Sequence, residues 1–265
     1  MLQGIKSMNF VKNKVILELT SKLGKFFGPR ATKNLSIDYK EDKSLVTEID
    51  HFVSELIKKE LAAHENYSSY QYFSEEDYQE LHFPAAVVDP IDGTRELSVG
   101  RPECAVSLAL MHSPHLADPL NYAWLYNPFS GFDLDSHTPF VASINKSSQK
   151  LLCLVSRSEF HKGYYNRVLN QNLFDISPRG SIAFKLGLLA SGGCDLVVSL
   201  APKNVWDIAA GTQLCAQRGI HFYINGEKVS SLDEVKYQGI LMWACDEVAG
   251  RVLDCFKDEI SKLKK

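Results

Sequence analysis

The chain has no apolar run near the roughly 20 residues that a membrane-crossing helix requires, so no spanning segment is expected in its 265 residues. It has no excess of positive charge either. Its 29 Lys and Arg stand against 32 Asp and Glu, which argues against a nucleic-acid polymer or a membrane surface as partner. A phosphate site here must gain positive charge locally, from a helix end or a metal ion. Cysteine is sparse, with six residues and no C-x-x-C pair. Cys104, Cys153, Cys194, Cys215, Cys245 and Cys255 stand in apolar settings, and reduced, buried thiols in a cytoplasmic protein are expected. The eight histidines lack H-x-x-x-H spacing, which argues against zinc. Neither a P-loop nor G-x-G-x-x-G occurs, so a nucleotide switch and a dinucleotide oxidoreductase are weak readings. Met1 to Lys14 mixes lysines with apolar residues and lacks the apolar core of a signal peptide.

What is present is an ordinary globular composition, 45% hydrophobic and 23% charged, long enough for one large domain or two coupled ones. Val11, Val15, Ile16, Leu19, Leu23 and Phe26 recur at helical spacing and predict an amphipathic helix over 8–27. Phe52, Val53, Leu56, Ile57 and Leu61 predict another over 50–63, with Asp50 at its N-cap. Ala85 to Val88 reads as a buried strand ending at Asp89-Pro90, and 104–111 and 122–126 read as further strands. Past residue 150 the pattern turns to alternation: strands at 151–156, 196–199 and 240–244, helices at 160–169, 182–190, 206–217 and 249–263. The expected organisation is an α+β region over 1–150, with an antiparallel sheet and most of the site, followed by an α/β region over 151–265 that completes it. No repeat or low-complexity linker separates them.

Asp89-Pro90-Ile91-Asp92-Gly93-Thr94 is the most informative stretch. Pro90 pushes Asp89 out of the α region, so its carboxylate is presented at a strand end. Gly93 permits a tight turn or a close ligand. A helix starting after Thr94 would aim free N–H groups over that turn, which favours phosphate. Two carboxylates beside such a turn suit a hard divalent cation that also touches phosphate oxygens. Taken alone, the stretch reads equally well as a polar turn with an N-cap. Phe73-Ser74-Glu75-Glu76-Asp77 reads by itself as a solvated acidic loop, and Asp207 in Trp206-Asp207-Ile208-Ala209-Ala210-Gly211 as a simple cap.

Together these segments resemble the inositol monophosphatase superfamily of metal-dependent, lithium-sensitive phosphatases. Leu45-Val46-Thr47-Glu48-Ile49-Asp50 is similar to its L-V-T-x-x-D segment, and Phe73-Ser74-Glu75-Glu76 to its G-E-E motif. Asp89 to Thr94 matches D-P-[IL]-D-G-T, and Trp206-Asp207 matches the late W-D. Ser156-Arg157-Ser158 and Gly180-Ser181 also fall where the family has comparable residues. Departures are Ser74 where glycine is common, Ser44 where an acid often precedes L-V-T, and the lack of a K-G-x-G-A turn over 132–148.

The resemblance implies a layered αβαβα sandwich and two or three Mg²⁺ ions. Glu75, Asp89 and the Ile91 carbonyl would hold the first ion, and Asp89, Asp92 and Asp207 the second. A looser third would use Glu75 through waters. Glu76 would position a water or the ligand network, and Thr94, bonded toward Asp50, would orient and deprotonate the attacking water. The Gly93 and Thr94 backbone would receive phosphate, and Lys185 and Lys203 a second phosphate, with solvated surface lysines as the plain alternative. Two-metal sites explain why so many acids serve an anionic substrate, since the ions neutralise phosphate and lower the pKa of bound water. No cysteine nucleophile is needed. The continuation Thr94-Arg95-Glu96-Leu97, with Trp206 to Gly211, leans toward the 3′(2′),5′-bisphosphate nucleotidase branch. 3′-Phosphoadenosine 5′-phosphate is therefore the expected substrate, inositol 1-phosphate the alternative, and a catalytically retired regulatory homologue the reading from another class. A homodimer is compatible with the resemblance.

Overall fold

The computed structural model describes residues 13–27, 37–39, 45–77, 80–140, 150–166 and 173–253. The readings at 8–12, Ser44, 141–148, 167–169, Cys255 and 254–263 lie outside the described residues. Helix α1 (Lys14–Phe26) starts where Asn13 accepts the Val15 amide at 3.0 Å, an ordinary side-chain cap. A two-stranded β1–β2 hairpin (Ile37–Tyr39, Leu45–Thr47) leads into α2 (Glu48–Ala62). Because α2 begins at Glu48, Asp50 lies in its first turn and not at the N-cap position that the apolar spacing predicts.

Strands β3 (Gln71–Ser74), β4 (Ala85–Asp92), β5 (Ala105–Met111), β6 (Tyr122–Asn127) and β7 (Phe132–Asp135) form a five-stranded sheet in that order. β3 runs parallel to β4 and the other pairs are antiparallel. The apolar run in β4 is continuous because both faces of the sheet are covered. Ala86 and Val88 face the core shared with α1 and α2, while Ala85 and Val87 face a second core.

That second core is built from helices of the later half. Short helix α3 (Thr94–Ser98) joins β4 to β5, and the sheet is followed by α4 (Arg157–His161), α5 (Ile182–Ala190) and α6 (Val205–Ala216). Strands β8 (Leu151–Ser156), β9 (Phe174–Arg179), β10 (Leu196–Ser199), β12 (His221–Ile224), β13 (Glu227–Val229) and β15 (Leu241–Ala244) make a six-stranded sheet. Its order is β13-β12-β15-β10-β8-β9, with parallel pairing through β10-β8-β9 and antiparallel pairing elsewhere. Short strands β11 (Lys203–Asn204) and β14 (Lys236–Tyr237) pair separately. Leu186 and Leu189 of α5 and Ile208 and Leu214 of α6 lie in one core with Val87 and Ala109 of the first sheet and Val197 and Trp243 of the second. The outer face of the second sheet packs Val155, Val198 and Met242 against Tyr165, Val248, Ala249 and Val252. The layers are therefore α1/α2, five-stranded sheet, α5/α6, six-stranded sheet and an outer helical layer: the αβαβα sandwich.

One local reading changes. The helix expected over 160–169 is not continuous: α4 starts earlier, capped by the Ser156 side chain, and ends at His161, after which 162–165 form a turn. Cys245 and Arg251 have the C-x-x-x-x-x-R spacing of a cysteine-phosphatase loop, yet residues 246–253 are helical and the Ala249 amide bonds to the Cys245 carbonyl at 2.9 Å. The Ala249 amide therefore serves the helix rather than a loop wrapped around an anion. The five described cysteines are free thiols, with Cys104, Cys153 and Cys215 buried. No helix among the described residues is long and apolar enough to cross a membrane.

Candidate active site

The site begins with an irregularity in β4. The strand does not stop at Pro90 but continues to Asp92, and its register against β5 shifts between Asp89↔Ser107 and Asp92↔Ala105. Three steps on β4 match two on β5, so one extra residue is inserted, as in a β-bulge. Pro90, which has no amide to donate, is tolerated within a strand at such a place. In a regular strand, residues three apart point to opposite faces. The extra residue restores the parity and puts both carboxylates on the side of Ser107 and Ala105. The apolar neighbours agree: Ile91 turns into the core with Val88, away from the core that holds Val87 and Ala105.

Asp89 is buried, and its carboxyl is held well above the usual carboxylate range by burial first, then by the charges of Asp92, Asp207, Asp50 and Glu75. Asp207, in the first turn of α6, accepts the Asn204 amide at 2.9 Å. Its carboxyl is pushed up to about 7, by burial and then by Asp92. Asp92 is held at the start of α5, where Oδ2 accepts the Ser181 hydroxyl at 2.7 Å and the Ala183 amide at 2.6 Å. Ser181 sits at φ +46°, ψ 120°, a backbone region that costs a non-glycine residue about 1–3 kcal/mol. Glu75 and Glu76 are exposed in the turn after β3, and Glu75 is the one whose charge reaches both Asp89 and Asp207.

This donor set fits a hard divalent cation. Its atoms are carboxylate oxygens, and the charges that raise Asp89 are those of other acids, an arrangement a cation would relieve. Among the described residues no three His, Cys, Asp or Glu side chains stand close enough together to hold a metal ion by themselves. Mg²⁺ in general keeps several waters and takes one or two carboxylates together with substrate phosphates.

Gly93 caps α3 at φ +100°. A Cβ there would lie 2.7 Å from the Glu103 carbonyl oxygen, so both the backbone angle and the close approach require glycine. The Thr94 hydroxyl contacts the Ile91 carbonyl at 2.9 Å and Asp50 Oδ2 at 3.3 Å. A hydroxyl has one proton, so the shorter contact takes it in this geometry and Asp50 stands as the second acceptor.

Lys185 is 2% exposed. Its ammonium donates to the Arg179, Gly180 and Ser181 carbonyls at 3.3, 3.1 and 2.8 Å. An ammonium has three donors, so all are directed at the β9–α5 turn. In this geometry the Lys185 ammonium holds the backbone of that turn, and the residue also lines the cleft beside it. Lys203 lies 3.7 Å from buried Glu159 and bonds to the Ala201 and Pro202 carbonyls.

Beside Asp92 and Asp207 opens a cleft of about 380 Å³ whose wall carries Arg95, Arg101, Arg157, Arg179 and Lys203. The sequence placed Glu96 in the continuation that bears on substrate choice, without its role in organising this wall. Glu96 accepts Arg101 at 3.1 Å and lies 3.4 Å from Arg157 Nε. Glu103 accepts the Gly180 amide at 2.7 Å and also pairs with Arg157. Glu103 carried no local signal, because its partners lie more than 50 residues away in the sequence.

The Inositol monophosphatase family model matches residues 12–242. Among curated proteins, a 3′(2′),5′-bisphosphate nucleotidase CysQ of Aggregatibacter actinomycetemcomitans is 26% identical, covering 77% of this chain and 81% of its own. Inositol monophosphatase 2 of Saccharomyces cerevisiae is 28% identical over 79% and 80%. The fold is similar to that of Thermotoga maritima IMPase, with a TM-score of 0.73, 20% identity, and 93% and 96% of the two chains covered. An IMPase/NADP phosphatase complexed with Mg²⁺ and phosphate superposes at a TM-score of 0.66 with 14% identity, over 92% and 94%.

Proposed function

We propose a function from one premise: the chain belongs to the inositol monophosphatase family. It is a Mg²⁺-dependent phosphomonoesterase of a small phosphorylated metabolite, with 3′-phosphoadenosine 5′-phosphate as substrate and AMP and phosphate as products. The observation that carries the substrate reading is the cleft, which joins Asp92 and Asp207 to a wall of arginines and Lys203. A substrate with one phosphoryl group at the carboxylates would have its second anionic group against that wall, where the guanidinium fork matches phosphate oxygens. A CysQ nucleotidase among the relatives supports the same reading.

Glu75, Asp89, the Ile91 carbonyl, Asp92 and Asp207 would hold the cations. Bound there, Mg²⁺ neutralises phosphate charge and lowers the pKa of a coordinated water. The chain's own residues do the rest. The Gly93 and Thr94 amides at the start of α3 would receive phosphate oxygens. Thr94 takes the proton of the attacking water as its own hydroxyl proton turns from the Ile91 carbonyl and passes to Asp50, and Glu76 orients that water from the rim. The new bond joins water oxygen to phosphorus, the ester P–O bond breaks, and the leaving alcohol takes a proton from solvent.

One observation favours a second reading. No Phe, Tyr or Trp lines the cleft among the described residues, while Ser156, Ser158, Ser181 and Ser199 do. A hydroxyl-rich substrate such as inositol 1-phosphate suits that lining better than a nucleobase. The test is phosphate release from 3′-phosphoadenosine 5′-phosphate and inositol 1-phosphate side by side, with and without Mg²⁺. The first is expected to turn over faster, and only with Mg²⁺. Release from neither, in a folded protein with Mg²⁺, would leave the retired regulatory homologue as the better reading.

A further inference from the structure

The turn that presents Ser181 to Asp92 is unusually tightly held from two sides. Above it, the Glu103 carboxylate accepts the Gly180 amide at 2.7 Å. Below it, the buried Lys185 ammonium takes the three consecutive carbonyls of Arg179, Gly180 and Ser181. The Glu103 main chain also lies between the two turns of the site. A Cβ on Gly93 would approach its carbonyl oxygen to 2.7 Å, and a Cβ on Gly180 would approach the same atom to 3.2 Å. The same carboxylate pairs with Arg157 of the cleft wall, with Arg179 at 3.9 Å. Burial alone would raise the Glu103 carboxyl, but the Gly180 amide and Arg157 outweigh it and hold it below the ordinary carboxylate range.

We infer that Glu103 is a positioning residue: through the Gly180–Ser181 turn it fixes the orientation of Asp92 as a cation ligand, and through Arg157 it ties that ligand to the basic wall. The inference rests on the metal-dependent reading above and adds a residue to it. Ser181 needs such support, because a non-glycine backbone at φ +46° persists only when its surroundings over-determine it. Without the Glu103 bond to Gly180, the strained turn can relax and the Ser181 hydroxyl moves off Asp92 Oδ2. The carboxylate would then meet the cation in more than one orientation. Groups that orient a metal ligand from behind typically contribute about 10–100-fold in metal affinity.

The experiment compares the full chain with Glu103→Ala, Glu103→Gln and Lys185→Met. Binding of Mg²⁺ alone is read by isothermal titration, and kcat and KM for 3′-phosphoadenosine 5′-phosphate are read at saturating Mg²⁺. Glu103→Ala is expected to weaken Mg²⁺ by about tenfold or more, with kcat largely recovered at saturation. Glu103→Gln keeps an oxygen for the Gly180 amide but loses the charge facing Arg157. Its Mg²⁺ affinity should fall between wild type and Glu103→Ala, while KM rises. Lys185→Met should weaken Mg²⁺ in the same direction, because it releases the other side of the turn. Equal Mg²⁺ affinity in wild type and in every variant that folds overturns the inference while leaving the metal-dependent reading intact. A wild-type chain that binds no Mg²⁺ overturns both. Should Glu103→Ala not fold, the Gln and Met variants decide the matter by the same criterion.

Discussion

Asp89 and Asp92 stand three residues apart on one strand yet face the same side of the sheet, because a bulge opposite Ser107 and Ala105 inserts one residue between them. This single register shift turns an alternating strand into a pair of adjacent carboxylates. It also places Asp92 where the Ser181 hydroxyl and the Ala183 amide meet it.

Asp92→Asn is expected to lower kcat by about 10²-fold or more, the scale on which charge-stabilising groups act in a site. The fold should survive, because the amide oxygen can still accept from Ala183 and Ser181. Steady-state kinetics beside a thermal melt test this; near-normal turnover would reject the assignment of Asp92 to the metal site.

Stability without metal should fall as pH rises. Asp207 titrates at about 7 in the folded chain against an ordinary value of 3.8, so the folded state binds that proton more tightly than the unfolded state does. The stabilisation it contributes is fully present below about pH 4 and is lost as pH passes about 7. Asp89, raised for the same reasons, acts in the same direction. Mg²⁺ competes with those protons, so the gap in Tm between Mg²⁺-loaded and chelated protein should widen from pH 5 to pH 8. A gap independent of pH would contradict the carboxylate cluster as the cation site.

Glu96→Asn should change substrate choice more than chemistry. Glu96 holds Arg101 and Arg157 in the cleft wall, and a shorter neutral side chain frees both. The ratio of kcat/KM for 3′-phosphoadenosine 5′-phosphate over inositol 1-phosphate is expected to drop about tenfold, equivalent to about 1.4 kcal/mol of discrimination. An unchanged ratio would place the second anionic contact elsewhere.

Gly211→Ala should destabilise the fold although it improves helix propensity. A Cβ at Gly211 would collide with the Leu186 side chain, where α5 and α6 cross. Overpacking of this kind costs about 1–3 kcal/mol and outweighs a propensity gain of about 1 kcal/mol. Urea denaturation should show a lower midpoint at an unchanged slope. A higher midpoint would mean that the helices separate at little cost.

The reaction class was legible in the sequence because its chemistry is concentrated in short segments. Asp89 to Thr94, Glu75 and Trp206-Asp207 carry the family's pattern in order, and the apolar periodicity located α2, α5, α6 and most strands to within a few residues. Asp50 was misplaced at a helix cap because the apolar pattern was begun at Phe52, whereas buried Ile49, four residues before Val53, already belongs to the same face of α2. The strand was expected to stop at Pro90 because a proline reads as a terminator when its partner strand is unknown.

What the sequence determined by itself is a set of carboxylates, a glycine turn and the family to which they belong. Tertiary structure decided how they are aimed. The bulge that aligns Asp89 with Asp92 exists only as a mismatch between β4 and β5, and Lys185 is a clamp on backbone carbonyls only because α5 buries it beneath the turn it serves. Glu103 meets Gly180 and Arg157 across separations of 77 and 54 residues. Local sequence encodes local geometry; contacts at such distances, and the electrostatics they create, arise only when the two sheets and the helices between them have packed.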